Sequence, residues 1–243
     1  MAEPGETRAR DPLVIAVAQP RSLAHDVAAN ARTHAETVRA ARARVVVFPE
    51  LSLTGYELEA APVSADDPRL APIVEACAEA NATALVGAPV QGEDGRSHIA
   101  TLAIDGAGAR VAYRKMWLGG PEPERFSPGE RPAVEEVAGW RLGLAICKDT
   151  GVPEHADETA ALGIDVYVAG TVKSADEAAL QRERARHVAT RHRIWVAVAS
   201  FAGSAGGGYA DAAGRSAIWR FDGVVVAQAG PEPGAIARAT LTR

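Results

Sequence analysis

Three reactive side chains of different chemistry each follow a short apolar segment of the sequence. They are a carboxylate at Glu50, an ammonium group at Lys115 and a thiol at Cys147. The apolar segments before them are residues 45–48, the run that ends at Tyr113, and residues 142–146. In an open sheet, ligands bind beyond the carboxyl ends of the strands, where the loops converge. We therefore expect these three groups, which come from distant parts of the chain, to meet at strand ends in one site.

Together, the three groups suit nucleophilic attack on a carbon–nitrogen bond. A free thiol has a pKa of about 8.5 and is mostly protonated at neutral pH. Glu50 can take that proton as a general base, and a nearby cation favours the thiolate. Cys147 would attack an amide or nitrile carbon, while Lys115 and a backbone N–H hold the developing oxyanion. Glu50 would then activate water to hydrolyse the thioester, so we expect no metal and no organic cofactor.

Lysine is rare in this chain, which makes the retained lysines informative. Only three of the 26 basic residues are lysines, at Lys115, Lys148 and Lys173. The heavy use of Arg and Ala indicates a bias that replaces Lys wherever a generic surface charge is enough. We therefore expect the remaining lysines where a guanidinium group cannot substitute for an ammonium group. Chance survival of each lysine is the alternative.

The elements that must position these residues alternate between strands and helices. Two hairpins with Gly-containing turns, at residues 105–108 and 222–223, interrupt the alternation. This pattern predicts a mixed sheet covered by helices, in one α/β domain over residues 12–243 behind a disordered leader at residues 1–11. The predicted helices are residues 22–43, 68–81, 153–162 and 175–193. The predicted strands are residues 13–18, 45–48, 84–87, 99–104, 110–114, 142–146, 165–169, 194–199, 217–221, 224–227 and 235–241, and residues 119–132 are a long loop of the kind that is commonly functional.

Composition and charge exclude several classes of function. The 243 residues carry a net charge of -5, which leaves no basic surface for nucleic acid. The apolar runs are far shorter than the ~20 residues of a membrane span, and no secretory signal is visible. Two cysteines cannot form a disulfide framework, and the six histidines show no metal-binding spacing. We expect a cytoplasmic globular enzyme or binding protein.

The three reactive residues lie in motifs that resemble the signature blocks of the nitrilase superfamily, the carbon–nitrogen hydrolases with a Glu-Lys-Cys triad. The blocks read Phe-Pro-Glu-Leu at residues 48–51, Tyr-Arg-Lys-Met-Trp-Leu at 113–118 and Ile-Cys-Lys-Asp at 146–149, with Val-Pro-Glu at 152–154. Their order and spacing are similar to the family pattern. Further matches are Gly-Tyr at residues 55–56, Phe-Ser-Pro-Gly at 126–129 and the tail at 214–223, so that the resemblance covers about residues 13–241.

The resemblance implies an α-β-β-α sandwich whose protomers pair into a homodimer or a higher homo-oligomer. It makes Glu50 the general base, Lys115 the oxyanion stabiliser and Cys147 the nucleophile. In this family a second glutamate, which precedes the Phe-x-Pro-Gly turn, orients the lysine and the substrate. Glu122 fits that position best, with Glu124 as the alternative.

Three positions depart from the family pattern and indicate a divergent branch. Trp117 stands where the lysine block usually has His, Lys148 where an aromatic residue usually follows the nucleophile, and Ser200 where a strand usually ends in Asn. Lys148 would still supply the backbone N–H of the oxyanion hole. We also expect its ammonium group, together with that of Lys173, to recognise an anionic group on the substrate.

The sequence therefore predicts a cofactor-independent hydrolase that cleaves a non-peptide C–N bond of a small linear amide through an acyl-thioester on Cys147. A nitrilase acting on a nitrile and a non-catalytic relative that binds a metabolite are the alternatives. A serine hydrolase is disfavoured because no Gly-x-Ser-x-Gly elbow is present. A thiol redox protein is disfavoured because no second cysteine lies near Cys147 in the sequence. Cys77, in a predicted helix, is expected to be inert core.

Overall fold

The computed structural model describes residues 11–242, and in this range the chain forms four α-helices and fourteen strands. The helices are α1 (Val27–Ala41), α2 (Ala71–Ala80), α3 (Pro153–Ala161) and α4 (Ala178–His192). The strands are β1 (Leu13–Ala18), β2 (Val45–Val47), β3 (Thr83–Gln91), β4 (Ser97–Asp105), β5 (Gly108–Arg114), β6 (Val134–Val137), β7 (Trp140–Ile146), β8 (Val166–Thr171), β9 (Trp195–Ser200), β10 (Ala202–Gly203), β11 (Ala212–Ala213), β12 (Ala217–Trp219), β13 (Val225–Gln228) and β14 (Ile236–Leu241).

Two six-stranded sheets form the centre of the molecule. The first has the order β14-β1-β2-β3-β4-β5 and the second the order β13-β12-β9-β8-β7-β6. Both are mixed sheets. In the first, β1, β2 and β3 are parallel, and in the second, β7, β8 and β9 are parallel, while the outer strands pair antiparallel. The prediction of mixed sheets is confirmed.

Three apolar cores separate four layers. The inner faces of the two sheets meet in a central core that includes Trp140 and Phe201. A second core joins the outer face of the first sheet to α1 and α2, and it contains Cys77 as an ordinary buried side chain. A third core joins the second sheet to α3 and α4 through residues such as Ala156 and Val188. Burial of one face of each helix and both faces of each sheet gives the predicted α-β-β-α sandwich.

Helix α1 begins five residues later than the sequence pattern predicted. The Asp26 side chain accepts the backbone N–H of Ala29 at 2.9 Å and caps the helix, which then starts at Val27. Just before the cap, His25 has a left-handed φ of 60°, which is incompatible with a continuous helix. The other end stops at Arg42, which also adopts a left-handed conformation.

Strand β3 is five residues longer than predicted, because it continues past the end of β2 to Gln91 while it stays paired with β4. Residues Val45, Val46 and Val47 pair with the start of β3, whereas β4 pairs along its whole length. Pro89 lies beyond the part of β3 that pairs with β2. Its carbonyl accepts the backbone N–H of Val63 at 2.8 Å, and its missing N–H breaks no pairing with β2. Strand β6 was not predicted at all. It is the edge strand of the second sheet, and two of its four residues are glutamates.

The beginning of the chain lies mostly outside the described residues. Of the predicted leader at residues 1–11, only Asp11 is described, and its carbonyl oxygen accepts the indole N–H of Trp140 at 2.9 Å. Between residues 11 and 242, none of the helices is long and apolar enough to cross a membrane.

Candidate active site

Glu50 lies in a tight turn directly after β2, between the two sheets. One glycine from each sheet packs against this turn. A Cβ atom on Gly87 of β3 would lie 2.3 Å from the backbone nitrogen of Leu51, and one on Gly170 of β8 would lie 2.6 Å from the carbonyl oxygen of Phe48. Only glycine permits this close approach of three backbone segments. The carboxylate of Glu50 is thereby held at the sheet edge and fully buried.

Lys115 follows β5, and its backbone is fixed on both sides. Its N–H donates to the carbonyl of Ile99 at 2.8 Å, and its carbonyl accepts the N–H of Gly129 at 2.7 Å. Gly129 ends the Phe-Ser-Pro-Gly turn, and a Cβ atom there would lie 2.2 Å from the carbonyl oxygen of Arg114. The turn that resembles the family motif therefore serves to anchor the lysine. The whole Lys115 side chain is buried.

The ammonium group of Lys115 contacts three carboxylate oxygens. Its Nζ lies 2.6 Å from Glu50 Oε1 and 2.7 Å from both Oε1 and Oε2 of Glu122. Glu122 also accepts the hydroxyl of Tyr56 at 2.7 Å and the backbone N–H of Gly119 at 2.8 Å. These bonds satisfy the carboxylate from several directions, so Glu122 can hold the lysine in one position.

Burial distinguishes Glu122 from Glu124, the two candidates for the second glutamate of the site. Glu122 and Glu124 both lie in a 3₁₀ turn, but Glu122 is 2% exposed and Glu124 points to solvent. The structure brings Glu122, and not Glu124, to Lys115. Tyr56 belongs to the Gly-Tyr motif quoted above, but its contact with Glu122 was not predicted.

Cys147 begins a 3₁₀ turn directly after β7. It has a left-handed φ of 41°, which is uncommon for a residue with a side chain and is often found at functional sites. The thiol is buried, and Sγ donates to the carbonyl of Val172 at 3.5 Å. The nucleophile candidate thus lies at the end of one strand and contacts the segment after the neighbouring strand β8.

Burial and neighbouring charges shift the pKa values of all three groups. Burial raises the pKa of Glu50 to about 7, although the charge of Lys115 opposes the shift. Burial and the charge of Glu50 raise the pKa of Cys147 to about 11. Burial alone would lower the pKa of Lys115, but the charges of Glu50, Cys147 and Glu122 hold it above its ordinary range. At neutral pH the site therefore contains a neutral thiol and a charged ammonium group. The charge of Lys115 favours the thiolate but is not enough to ionise Cys147 in the resting site.

The two oxygens of Glu50 have different surroundings. Oε1 is held by Lys115, whereas Oε2 is buried and has no hydrogen-bond partner of regular geometry among residues 11–242. The Cys147 thiol lies close enough to lower the pKa of Glu50 by hydrogen bonding. Glu50 therefore has one oxygen free to accept a proton and a thiol close to its carboxylate, which is the arrangement of a general base and its nucleophile.

A buried carboxylate that sequence reasoning missed joins the two reactive loops. Asp149 is fully buried, and its Oδ1 accepts the backbone N–H of Trp117 at 2.9 Å. Its Oδ2 accepts the backbone N–H of Ile146 at 2.9 Å and the hydroxyl of Tyr113 at 2.8 Å. Tyr113 and Asp149 both lie inside the motifs quoted above. Each is two residues from a reactive side chain in the sequence, and this proximity was the signal that could have identified them.

A buried histidine continues this network. The ring of His155 lies between two tyrosines, with Nε2 2.9 Å from the hydroxyl of Tyr113 and Nδ1 2.7 Å from that of Tyr167. Burial lowers the pKa of His155 to about 4, so the ring is neutral. Trp117 packs edge-on against it, with ring centroids 5.5 Å apart. The departure from the family pattern at Trp117 thus supplies a packing contact for His155.

The structure places the two remaining lysines in different environments. Lys148 is exposed, and its stem lies beside Gly119, where a Cβ atom would be 3.6 Å from Lys148 Cδ. Lys173 is 8% exposed and directly follows Val172, the residue that contacts the thiol. Of the two, Lys173 is the lysine buried beside the nucleophile candidate.

Comparison with known proteins gives one family. The model of the carbon–nitrogen hydrolase family matches residues 14–243. A protein of Pseudomonas protegens named "Hydrolase in pqqF 5'region" is 36% identical over 194 residues, which cover 76% of this chain and 67% of that protein. A formamidase from a Bradyrhizobium species is 28% identical over 193 residues, or 75% of this chain, but the match spans only 55% of the formamidase.

An amidase from Nesterenkonia sp. AN1 is similar in structure. A mutant of this amidase in complex with butyramide aligns with a TM-score of 0.85 and 24% identity, over 97% of this chain and 92% of that one. In another mutant of the same amidase, the acetamide moiety of fluoroacetamide is covalently added at the active-site cysteine. This similarity shows that the two proteins share a fold.

Proposed function

The chain belongs to the carbon–nitrogen hydrolase family, and on that premise we propose that it hydrolyses a small linear amide through an acyl-thioester on Cys147. The observation that carries the proposal is the buried cluster in which Lys115 contacts Glu50 and Glu122 beside the thiol. The names of the relatives support amide substrates, because formamidases and an amidase are among them.

In the first step, Sγ of Cys147 bonds to the amide carbon, and the electron pair of the C=O bond moves to the oxygen. The thiol proton passes to Oε2 of Glu50. Since the thiol has a pKa of about 11 and Glu50 one of about 7, this transfer is unfavourable in the resting site. It must therefore accompany formation of the C–S bond, which removes the charge from sulfur.

Lys115 stabilises the negative oxygen that this attack creates. Its three N–H donors all face carboxylate oxygens in the resting site, and two of those oxygens belong to Glu122. One donor can turn to the oxyanion while the other two keep a contact to each glutamate. The backbone N–H of Lys148 provides the second donor to the oxyanion, and both act in a site from which water is excluded.

The second half of the cycle returns each group to its starting state. Glu50 gives its proton to the amide nitrogen, the C–N bond breaks, and ammonia leaves the acyl-thioester behind. Water then attacks the thioester while Glu50 takes its proton, and the C–S bond breaks. Glu50 reprotonates the sulfur and the carboxylic acid leaves. One water is consumed for each ammonia and acid released, and no group is oxidised or reduced.

Ammonia release from a panel of carboxamides, N-carbamoyl compounds and nitriles tests this proposal. We expect ammonia from at least one amide, loss of that activity in Cys147→Ala, and little change in Cys77→Ala, which alters the other buried cysteine far from the cluster. Activity retained by Cys147→Ala, or no release from any compound, would overturn the proposal. Release from nitriles alone would assign the chain as a nitrilase instead.

A further inference from the structure

Lys173 places a second ammonium group beside the nucleophile, and the reaction described above does not use it. The carbonyl of the preceding residue, Val172, accepts the hydrogen bond from Cys147 Sγ at 3.5 Å. The Lys173 side chain itself is only 10% exposed. A charged side chain so well buried is uncommon unless it is paired.

The partners of Lys173 do not saturate it. An ammonium group has three N–H donors, and Lys173 Nζ has one side-chain contact in the described part of the chain, to Glu177 Oε1 at 3.3 Å. The other oxygen of Glu177 is taken up by the backbone N–H and the hydroxyl of Ser174, at 3.2 and 3.0 Å. Lys115, by contrast, meets three carboxylate oxygens at 2.6 to 2.7 Å. Lys173 therefore keeps donors for a further anion.

Activation of the thiol does not account for this lysine. The charge of Lys173 favours the thiolate, but burial and Glu50 outweigh it and keep the pKa of Cys147 at about 11. The proton acceptor in the proposed reaction is Glu50, and not Lys173. Because the contact with Glu177 leaves other N–H donors of this buried ammonium group without a partner among the described residues, a ligand that brings a negative charge would stabilise this side of the site.

An aromatic pair lies between the two charged ends of the site. Tyr209 packs edge-on against Tyr56 with ring centroids 5.3 Å apart, and Tyr56 binds Glu122. Tyr209 lies in the loop that joins these two ends. The Ala205 carbonyl accepts the Tyr56 backbone N–H at 2.6 Å, and the Ala213 backbone N–H donates to the Lys173 carbonyl at 2.7 Å. Apolar ring surface between Glu122 and Lys173 suits a short hydrocarbon linker in a bound ligand.

We propose that Lys173 binds a carboxylate on the acyl part of the substrate, so that the amide hydrolysed here is the half-amide of a short dicarboxylic acid. This inference rests on the proposed function, because a reaction that releases ammonia leaves the acyl part as the only place for the charge. Lys148, which the sequence made the first candidate for this role, is exposed to solvent, where salt screens its charge. Lys173 is thus the residue that determines specificity, and Lys148 provides a matched control.

Succinamate and butyramide provide the test, since they share a four-carbon chain and differ in a terminal carboxylate. We expect wild type to prefer succinamate in kcat/KM. Removal of one partner of a buried charge pair weakens binding by about 30-fold or more. Lys173→Met should therefore raise the KM for succinamate by about that factor and change butyramide less than about threefold. Lys148→Met keeps the backbone N–H assigned to the oxyanion, and it should leave the ratio of the two substrates unchanged whatever its effect on the two rates. Lys173→Arg should restore part of the preference.

A second measurement needs no change at Lys173. Succinate should inhibit wild-type hydrolysis of butyramide much more strongly than butyrate does, and added salt should weaken that inhibition little because the binding site is buried. Equal inhibition by the two acids would overturn the inference, as would an equal loss on both substrates in Lys173→Met. Turnover of butyramide without any preference for succinamate would overturn this inference but would leave the proposed function standing. Absence of turnover on every amide defeats the proposed function itself.

Discussion

Asp149 accepts the backbone N–H of Trp117 at 2.9 Å, and this bond crosses from one sheet to the other. Trp117 lies in the loop after β5 of the first sheet, which carries Lys115, whereas Asp149 lies in the turn after β7 of the second sheet, which begins at Cys147. Asp149 also binds Ile146, the residue before the nucleophile candidate. The relative position of the amine and the thiol therefore depends on a carboxylate that contacts neither side chain.

The first prediction concerns the stability that Asp149 provides. Asp149→Ala would leave the part-buried N–H of Trp117 and the buried N–H of Ile146 without an acceptor, which we expect to cost about 2–4 kcal/mol in the free energy of unfolding. Urea denaturation at pH 7 measures this change. Asp157→Ala is the control, because Asp157 pairs with Arg191 on the exposed surface and should matter little. Equal effects of the two variants would contradict the positioning role of Asp149.

The second prediction is the pH dependence of kcat/KM. Burial raises the pKa of Glu50 to about 7 from an ordinary value of 4.5. Glu50 accepts the thiol proton only in its ionised form, so activity should be low below this pKa and rise tenfold per pH unit towards a plateau above it. The thiol, with a pKa of about 11, stays protonated across the plateau. Initial rates with butyramide between pH 5 and 9 measure the profile, and a plateau that extends down to pH 5 would contradict it.

The third prediction concerns the loss of the general base. Glu50→Gln keeps the size of the side chain but removes its ability to accept a proton from Cys147. General-base catalysis contributes about 10²–10⁴-fold, and this base acts in both half-reactions, so we expect kcat/KM to fall about 10³-fold or more. Glu36→Gln, on the exposed face of α1, is the matched substitution and should retain full activity. Activity of Glu50→Gln within tenfold of wild type would rule out the assigned role.

The fourth prediction uses the two glycines that enclose the Glu50 turn. A Cβ atom on Gly170 would lie 2.6 Å from the Phe48 carbonyl and 2.9 Å from the Glu50 backbone nitrogen. Gly170→Ala must therefore displace the turn, with an expected loss of about 1–3 kcal/mol in stability and a fall in kcat/KM. Gly230→Ala meets only the flexible end of the exposed Glu232 side chain. Thermal unfolding and initial rates of the two variants should differ clearly. A Gly170→Ala variant with wild-type stability and wild-type kcat/KM would contradict the packing described.

The sequence alone was sufficient where local pattern and strand ends decide the structure. Glu50, Lys115 and Cys147 could be placed at strand ends because each follows an apolar segment, although these strands belong to two sheets. The four helices and most of the strands followed from their periodicity. The start of α1 could also have been read from Asp26, since aspartate is a preferred helix cap. These features depend on neighbours within a few residues.

Other features depend on contacts between distant segments and were not visible in the sequence. The three hydrogen bonds of Asp149 come from two sheets. Lys173 and Glu177 are four residues apart, a spacing typical of an exposed helical ion pair, so nothing in the pattern indicated that Lys173 is buried. The pKa of Glu50 likewise follows from burial between the sheets, which only the packed structure reveals.

The most direct test of the central claim is the mass of the enzyme during turnover. Wild-type protein mixed with a hydrolysed amide and quenched in acid within milliseconds should carry the mass of the substrate less ammonia, and peptide digestion should locate that mass on Cys147. Cys77 should remain unmodified, and Cys147→Ala should show no adduct. Steady hydrolysis by an enzyme whose adduct maps to another residue, or whose Cys147→Ala variant still turns over, would contradict the claim that sulfur, amine and carboxylate act together on one carbon.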